Sequence, residues 1–388
     1  IINMLTSNIK FKNFKIVKKK YKRNFFKEKW FKDIKLLESL KYNYRYSYSK
    51  KNLEKYKKKT NFTLVGMGGS ILGAEAIYQF LKFKIKKKFV FIDNLNPVIK
   101  KKKSINNDIN IIISKSGNTL ETILNSNLLV SKKKNNIIIT ENRNNYLNKL
   151  ATDIKAEIFE HKNYIGGRYS VLSEVGMLPA EIMGLKEKKF KRFNHLINNK
   201  NFLNQLILNV SAILKFVKQG KSNSVILNYD EKSDNFFKWY QQLVAESLGK
   251  KSKGILPVIS SMPKDNHSLL QLYLDGPKNN FFTFFSSQDK KSNIINNKFL
   301  QKSHNYLKNK SFSKIIYAQK NATEKVFYKK KLPFRSFEVK RRSEESLGEL
   351  FCFFILETIL LGRSLKVNPF DQPSVELIKK ETKKILFN

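Results

Sequence analysis

From residue 61 onward the chain alternates between two patterns. Short runs rich in β-branched residues each lead into a turn bearing Gly or Ser, and apolar residues at helical spacing follow. The first runs fall at 62–67, 89–94, 109–114, 136–140 and 156–160, at intervals of roughly 20 to 30 residues, as expected of βα units in a parallel sheet. A helical stretch at about 202–218 precedes a second set at 224–229, 256–259, 281–286, 313–318 and 335–340. With no low-complexity linker and no short-period repeat, the pattern predicts two consecutive doubly wound α/β domains, at 59–195 and 196–366. Residues 1–58 contain neither Gly nor Pro and interleave basic with aromatic residues. They read as helical segments packed by their aromatic faces, or alternatively as a basic surface arm. Residues 367–388 read as a C-terminal helix.

Composition narrows the class. At 388 residues, 41% of them hydrophobic and 13% aromatic, the chain has ample material for two cores, which excludes wholesale disorder. Its longest apolar run, 350–356, is fenced by Glu349 and Glu357 and falls far short of the ~18 to 20 residues that span a bilayer. One cysteine, Cys352, and four scattered histidines rule out a disulfide framework and offer little for a metal centre. A soluble, cytoplasmic protein is expected, without a metal. The opening Ile-Ile-Asn-Met lacks the apolar core and cleavage site of a signal peptide, and Met4 is a candidate start.

Charge changes the picture less than its size suggests. A net +45 with 76 basic residues points on its face to nucleic acid. Only nine of the 76 are Arg, however, and Asn, Ile and Phe are also abundant, so biased genome composition explains the mixture better than a nucleic-acid groove, which leans on Arg. Lysine runs at 18–20, 57–59, 86–88 and 100–103 read as solvated faces or loops. No nucleic-acid or membrane partner is expected.

Candidate chemistry sits in the turns. GMGGS (66–70) joins the first strand to a helix and suits either a tight turn or the approach of an oxygen-rich ligand to a helix N-terminus. It lacks the third glycine of the dinucleotide fingerprint and the Lys-Ser/Thr of a P-loop. SKSGNT (114–119) gathers hydroxyls, Gly117 and Lys115 at a helix start; these suit a phosphate, although hydroxyls there also serve as caps. In GGRYSVLS, Arg168 suits a ligand oxyanion or a loop ion pair. Glu246, in AESLGK near a helix end, is either surface or a general base. His267, in DNHSLLQLYLDGP, is a cap, a core residue or an acid–base group.

Taken together and in order, these motifs and NPFDQPSVELIKK resemble the phosphoglucose isomerase family, built from two sugar-isomerase domains with helical extensions. The resemblance spans about 65–380. It implies reversible isomerisation of glucose 6-phosphate and fructose 6-phosphate through ring opening and a cis-enediol(ate), in glycolysis and gluconeogenesis, without a cofactor. By the same resemblance, Gly69, Ser70, Ser114, Lys115, Ser116, Thr119 and Gln372 bind substrate, Arg168 stabilises the enediolate, Glu246 is the base, and His267 with Lys379 opens the ring. The C-terminal helix completes an active site shared across a homodimer. Ser374, and Ile378 in place of a usual glycine before Lys379, depart from the family pattern. Two relatives compete with this reading: an isomerase that also takes mannose 6-phosphate, and a sugar-phosphate-sensing regulator, which would need a single sugar-isomerase domain and a recognition helix.

Overall fold

A computed structural model describes residues 3–15, 31, 33–96, 108–131, 135–288 and 292–387. The first sheet is wholly parallel, in the order β4 (Lys88–Ile92), β3 (Asn61–Val65), β5 (Asp108–Ile113), β6 (Asn135–Thr140), β7 (Glu157–Glu160). Its centre is apolar on both faces: Ile111, Ile112 and Ile113 pair alongside Ile137, Ile138 and Ile139, and all six are buried. That is the composition demanded when helices cover a sheet from both sides.

The second sheet has a parallel core of β11 (Phe334–Val339), β10 (Asn280–Ser287), β8 (Asn223–Asn228) and β9 (Leu256–Ser261). Nine of the ten predicted runs are thus strands. The exception is 313–318, which opens the helix Phe312–Lys329. Its apolar triplet is too short to fix a period, whereas the buried residues Lys320, Thr323, Glu324 and Phe327 recur at three and four positions, the spacing of one helical face. Ser311 caps the helix by accepting from the Lys314 amide.

The N-terminal stretch also departs from the helical expectation. Asn3–Met4 (β1) and Ile9–Lys12 (β2) form an antiparallel hairpin, and β2 pairs antiparallel with β11, extending the second sheet. Ile9 and Phe11 are buried while Lys10 and Lys12 reach Glu338 and Glu324, a two-residue alternation characteristic of a strand. Further on, only short helical turns occur among the described residues, at Lys35–Leu40, Lys50–Leu53 and Glu54–Tyr56. Of the lysine runs, 57–59 and 86–88 are exposed or half-buried; those at 18–20 and 100–103 lie outside the described residues.

The apolar run 350–356 belongs to an interior helix, Glu344–Ser364, buried continuously from Ser346 to Gly362. It packs against the helices Lys200–Lys218 and Asp234–Leu248, which explains why it is hydrophobic on every side. Its three buried carboxylates all have partners, Glu344 pairing with Lys84. Glu349 accepts from Thr6, Asn8 and Arg192, and Glu357 from Arg335 and Asn209. No helix among the described residues is long and apolar enough to cross a membrane.

His161, just beyond β7, is buried, with Nδ1 against the Lys162 carbonyl at 3.1 Å and Nε2 without a hydrogen-bond partner. Burial drives its pKa down from 6.5 to about 4. Between those values the unfolded chain takes up a proton that the folded protein refuses, so stability falls as pH drops from 6.5 to 4, by up to roughly 3 kcal/mol. Calorimetry across pH 7 to 4 should show a smaller loss of Tm in His161→Gln than in the wild type; parallel curves would mean the ring is not held neutral.

Candidate active site

The chain runs from β3 outward to β4 and then returns to the other side of β3 as β5. In an open α/β sheet this reversal leaves a crevice at the carboxyl ends of the two strands. GMGGS follows β3 and SKSGNT follows β5, so both loops open onto that crevice.

None of the loop's hydroxyls bonds to an amide of the helix that follows. Thr119 occupies the N-cap of the helix Leu120–Leu129 but makes no side-chain cap bond; its hydroxyl lies 2.9 Å from that of Ser114 instead. The Ser116 hydroxyl accepts from the Asn118 amide at 3.2 Å. Gly117 has φ +68°, and a Cβ there would fall 2.1 Å from Asn145 Oδ1, so only glycine lets the loop close over Asn145, which caps the next helix. Lys115 Nζ donates to the Asn163 carbonyl at 2.7 Å. Burial holds its pKa below the ordinary lysine range, partly offset by Glu141 at 3.6 Å.

GMGGS meets GGRYS backbone to backbone. A Cβ on Gly69 would stand 2.2 Å from the carbonyl carbon of Gly167 and 2.6 Å from the Arg168 nitrogen. Arg168 is thereby seated against the first loop. Its side chain is buried, and its guanidinium donates five hydrogen bonds: Nε to Ser247 Oγ at 2.8 Å, Nη1 to Glu246 Oε2 at 3.2 Å and Gln372 Oε1 at 2.7 Å, and Nη2 to the carbonyls of Pro369 at 2.6 Å and Asp371 at 3.0 Å. The Trp239 indole N–H donates to the Arg168 carbonyl, and Tyr169 OH to that of Pro369.

Glu246 lies near the end of the helix Asp234–Leu248 with its side chain 31% exposed. Its Oε1 accepts from Gln242 Nε2 at 2.9 Å. Gln242 escaped the sequence reading, although its position one helical turn before Glu246 places both on one face. Gly68, at φ +52°, accommodates it: a Cβ there would lie 2.6 Å from Gln242 Nε2.

The structure therefore gathers Gly69, Arg168, Glu246 and Gln372 at the crevice, with Ser70 closing the adjoining turn Gly68–Ser70 and Ser114, Lys115, Ser116 and Thr119 on the loop beside it. A single chain does not bring His267 or Lys379 there. His267 is exposed on the turn Lys264–His267, beyond the carboxyl end of β9, whereas Glu246 lies at the end of its helix that leads into β9. The whole of β9, six residues long, runs between them. Lys379 is 62% exposed and pairs with Glu376 on the helix Val375–Phe387, none of whose residues is buried.

A family profile described as phosphoglucose isomerase matches residues 54–388. The glucose-6-phosphate isomerase of Methanocaldococcus jannaschii is 34% identical over 347 residues, 85% of this chain and 86% of that protein. That of Mycoplasmopsis synoviae is 34% identical over 353 residues, 82% and 80% respectively. Among solved structures, a hypothetical protein from Thermus thermophilus superposes with a TM-score of 0.79 at 23% identity, covering 93% of this chain and 92% of that one. A Chlamydia trachomatis glucose-6-phosphate isomerase superposes with a TM-score of 0.72 at 19% identity, covering 87% and 71%.

The loop-to-loop contact makes the two neighbouring glycines unequal. Gly69→Ala should cost about 1 to 3 kcal/mol, because backbone must move. Gly167→Ala, whose Cβ would meet nothing closer than 4.0 Å, should cost far less. Urea denaturation of both variants checks this, and equal costs would show that the loops do not touch.

Proposed function

The chain belongs to the phosphoglucose isomerase family and interconverts glucose 6-phosphate and fructose 6-phosphate, and on that premise we propose how the residues around Arg168 carry the reaction. The observation that carries this reading is the Glu246–Arg168 pair, a part-exposed carboxylate 3.2 Å from a buried guanidinium, beside a hydroxyl-rich loop at the sheet's reversal.

The phosphate binds in the 114–119 loop, where the Ser114, Ser116 and Thr119 hydroxyls and backbone amides at the start of the helix Leu120–Leu129 converge. Held there, the sugar presents C1 and C2 to Glu246. The carboxylate removes the proton from one carbon and returns it to the other, so one group acts first as base and then as acid. Gln242 and Arg168 each grip one oxygen of Glu246 and keep the carboxylate in one orientation.

The charge that develops on the enediolate falls to Arg168. Three of its donors are tied to Ser247, Pro369 and Asp371, and the two on Nη1 remain at the pocket, shared by Glu246 and Gln372. The substrate oxygen takes the place of one of these acceptors, meeting a donor already aimed and already desolvated.

Ring opening requires a second acid–base group, and that role falls to His267 assisted by Lys379. Their exposure in one chain suits a homodimer in which the partner's His267 enters the site. Leu377, Ile378 and Ile385, each at least 65% exposed on the terminal helix, support a second copy as the surface that covers them. We assign the enzyme to glycolysis and gluconeogenesis in the cytoplasm.

Glu246→Gln should retain binding of a phosphorylated inhibitor and lose turnover by ~10² to 10⁴; near-normal turnover in a coupled assay would remove Glu246 as the base. The shared site has its own signature. Mixed with Glu246→Gln protomers, His267→Ala protomers should recover part of the activity, since each hybrid dimer retains one intact site. No recovery despite demonstrated subunit exchange would put both residues in one chain's site.

A further inference from the structure

A second cavity, of about 770 Å³, opens at the edge of the second sheet where β8, β10 and β11 begin. It shares no lining residue with the Arg168–Glu246 site. Ligand crevices in α/β sheets lie at the carboxyl ends of strands, so this one, at the opposite ends, is not accounted for by the fold. Seven of its eighteen lining residues are lysines and none is acidic. The chain as a whole has 76 basic residues of either kind in 388, so the lining is enriched beyond the general composition. The smaller cavity near Lys50, by contrast, includes Glu181 and Glu187 in its wall.

The lysines come from four separate parts of the chain. Lys12 pairs with Glu324 and Lys330 with Asp275. Among the described residues, no carboxylate pairs with Lys15, Lys221, Lys278, Lys329 or Lys331. Lys221 is held below the ordinary lysine pKa by burial and by the ammonium of Lys278, as expected where like charges crowd without compensation. Lys15 lies 3.9 Å from the ring centre of Tyr328, on the cavity wall. Phe216, Phe282 and Phe334 supply an apolar floor.

We propose that this cleft binds a small anion carrying several linked phosphates, as a free oligophosphate or as the phosphate tail of a nucleotide. Flexible ammonium groups suit such a ligand because, as point charges, they follow a chain of oxyanions without needing one fixed geometry. The volume falls within the ~300 to 1,000 Å³ of small-molecule sites.

The test is calorimetric titration of the full chain, carrying Ser116→Ala and Thr119→Ala to silence the catalytic phosphate loop, with tripolyphosphate at physiological salt. One tripolyphosphate per chain should bind. Adding Lys329→Gln and Lys331→Gln, both at exposed positions, should weaken it at least about tenfold, a change of ~1.4 kcal/mol. Lys278→Gln provides a second, independent variant. Removing the same charge elsewhere, with Lys302→Gln and Lys308→Gln, should leave affinity unchanged. ATP binding as tightly as tripolyphosphate would identify the nucleotide as source, and ATP binding more than tenfold weaker would identify the free chain; either outcome supports the site. Equal losses in the cleft and control variants, or abolition of binding by the Ser116 and Thr119 substitutions alone, would overturn it. So would capture of a single-stranded RNA with no response to tripolyphosphate or ATP.

Discussion

A guanidinium can be buried only if its five N–H groups all find acceptors, because it cannot shed its charge. Arg168 meets that condition with acceptors drawn from two distant segments, Glu246 and Ser247 at the end of one helix and Pro369 to Gln372 after another. Its own backbone is pressed against Gly69. The first sheet's leading turn, the Glu246 helix and the C-terminal segment are therefore mutually positioned by one residue, the turn through its backbone and the other two through its side chain. The geometry of the crevice is inherited from this node: the same bonds that solve the burial problem aim Nη1 and hold Glu246.

The interior helix Glu344–Ser364 is the mechanical support behind that node. It packs on the Glu246 helix through Phe351, whose ring meets Trp239 at 4.7 Å, and Trp239 in turn holds the Arg168 carbonyl. Its far end delivers the chain to Pro369, which packs so closely on Gly362 that a Cβ there would lie 2.8 Å from the proline ring. Packing and hydrogen bonding thus converge on the same residues from opposite sides.

Much of this was legible in the sequence, for identifiable reasons. Buried parallel strands declare themselves by β-branched runs, and nine were found within a few residues of their limits. Turn motifs such as GMGGS and SKSGNT were legible because positive φ and close backbone approach restrict the residue types that fit. The 313–318 run misled because three consecutive apolar residues fit either period, and only the following turns of helix settle the matter. Ile9–Lys12 was missed because its alternation covers four residues inside a stretch dominated by lysines, where composition masks the pattern. Gln242 was invisible for a different reason. A glutamine on a helix carries no signal until the Glu246 carboxylate is seen beside it.

The pairing of β2 with β11 has a consequence for the order in which the protein is made. Phe11 takes its place opposite Phe337, near the other end of the chain. At ~5 to 20 residues per second a ribosome needs roughly 15 to 60 s to travel between them. Throughout that interval Ile9 and Phe11 lack β11 to pair with, while the first α/β unit has every strand it needs as soon as β7 ends at Glu160. The first unit can thus mature during synthesis, whereas the second sheet is sealed only after β11 has been made, by a strand synthesised well before any strand of its parallel core.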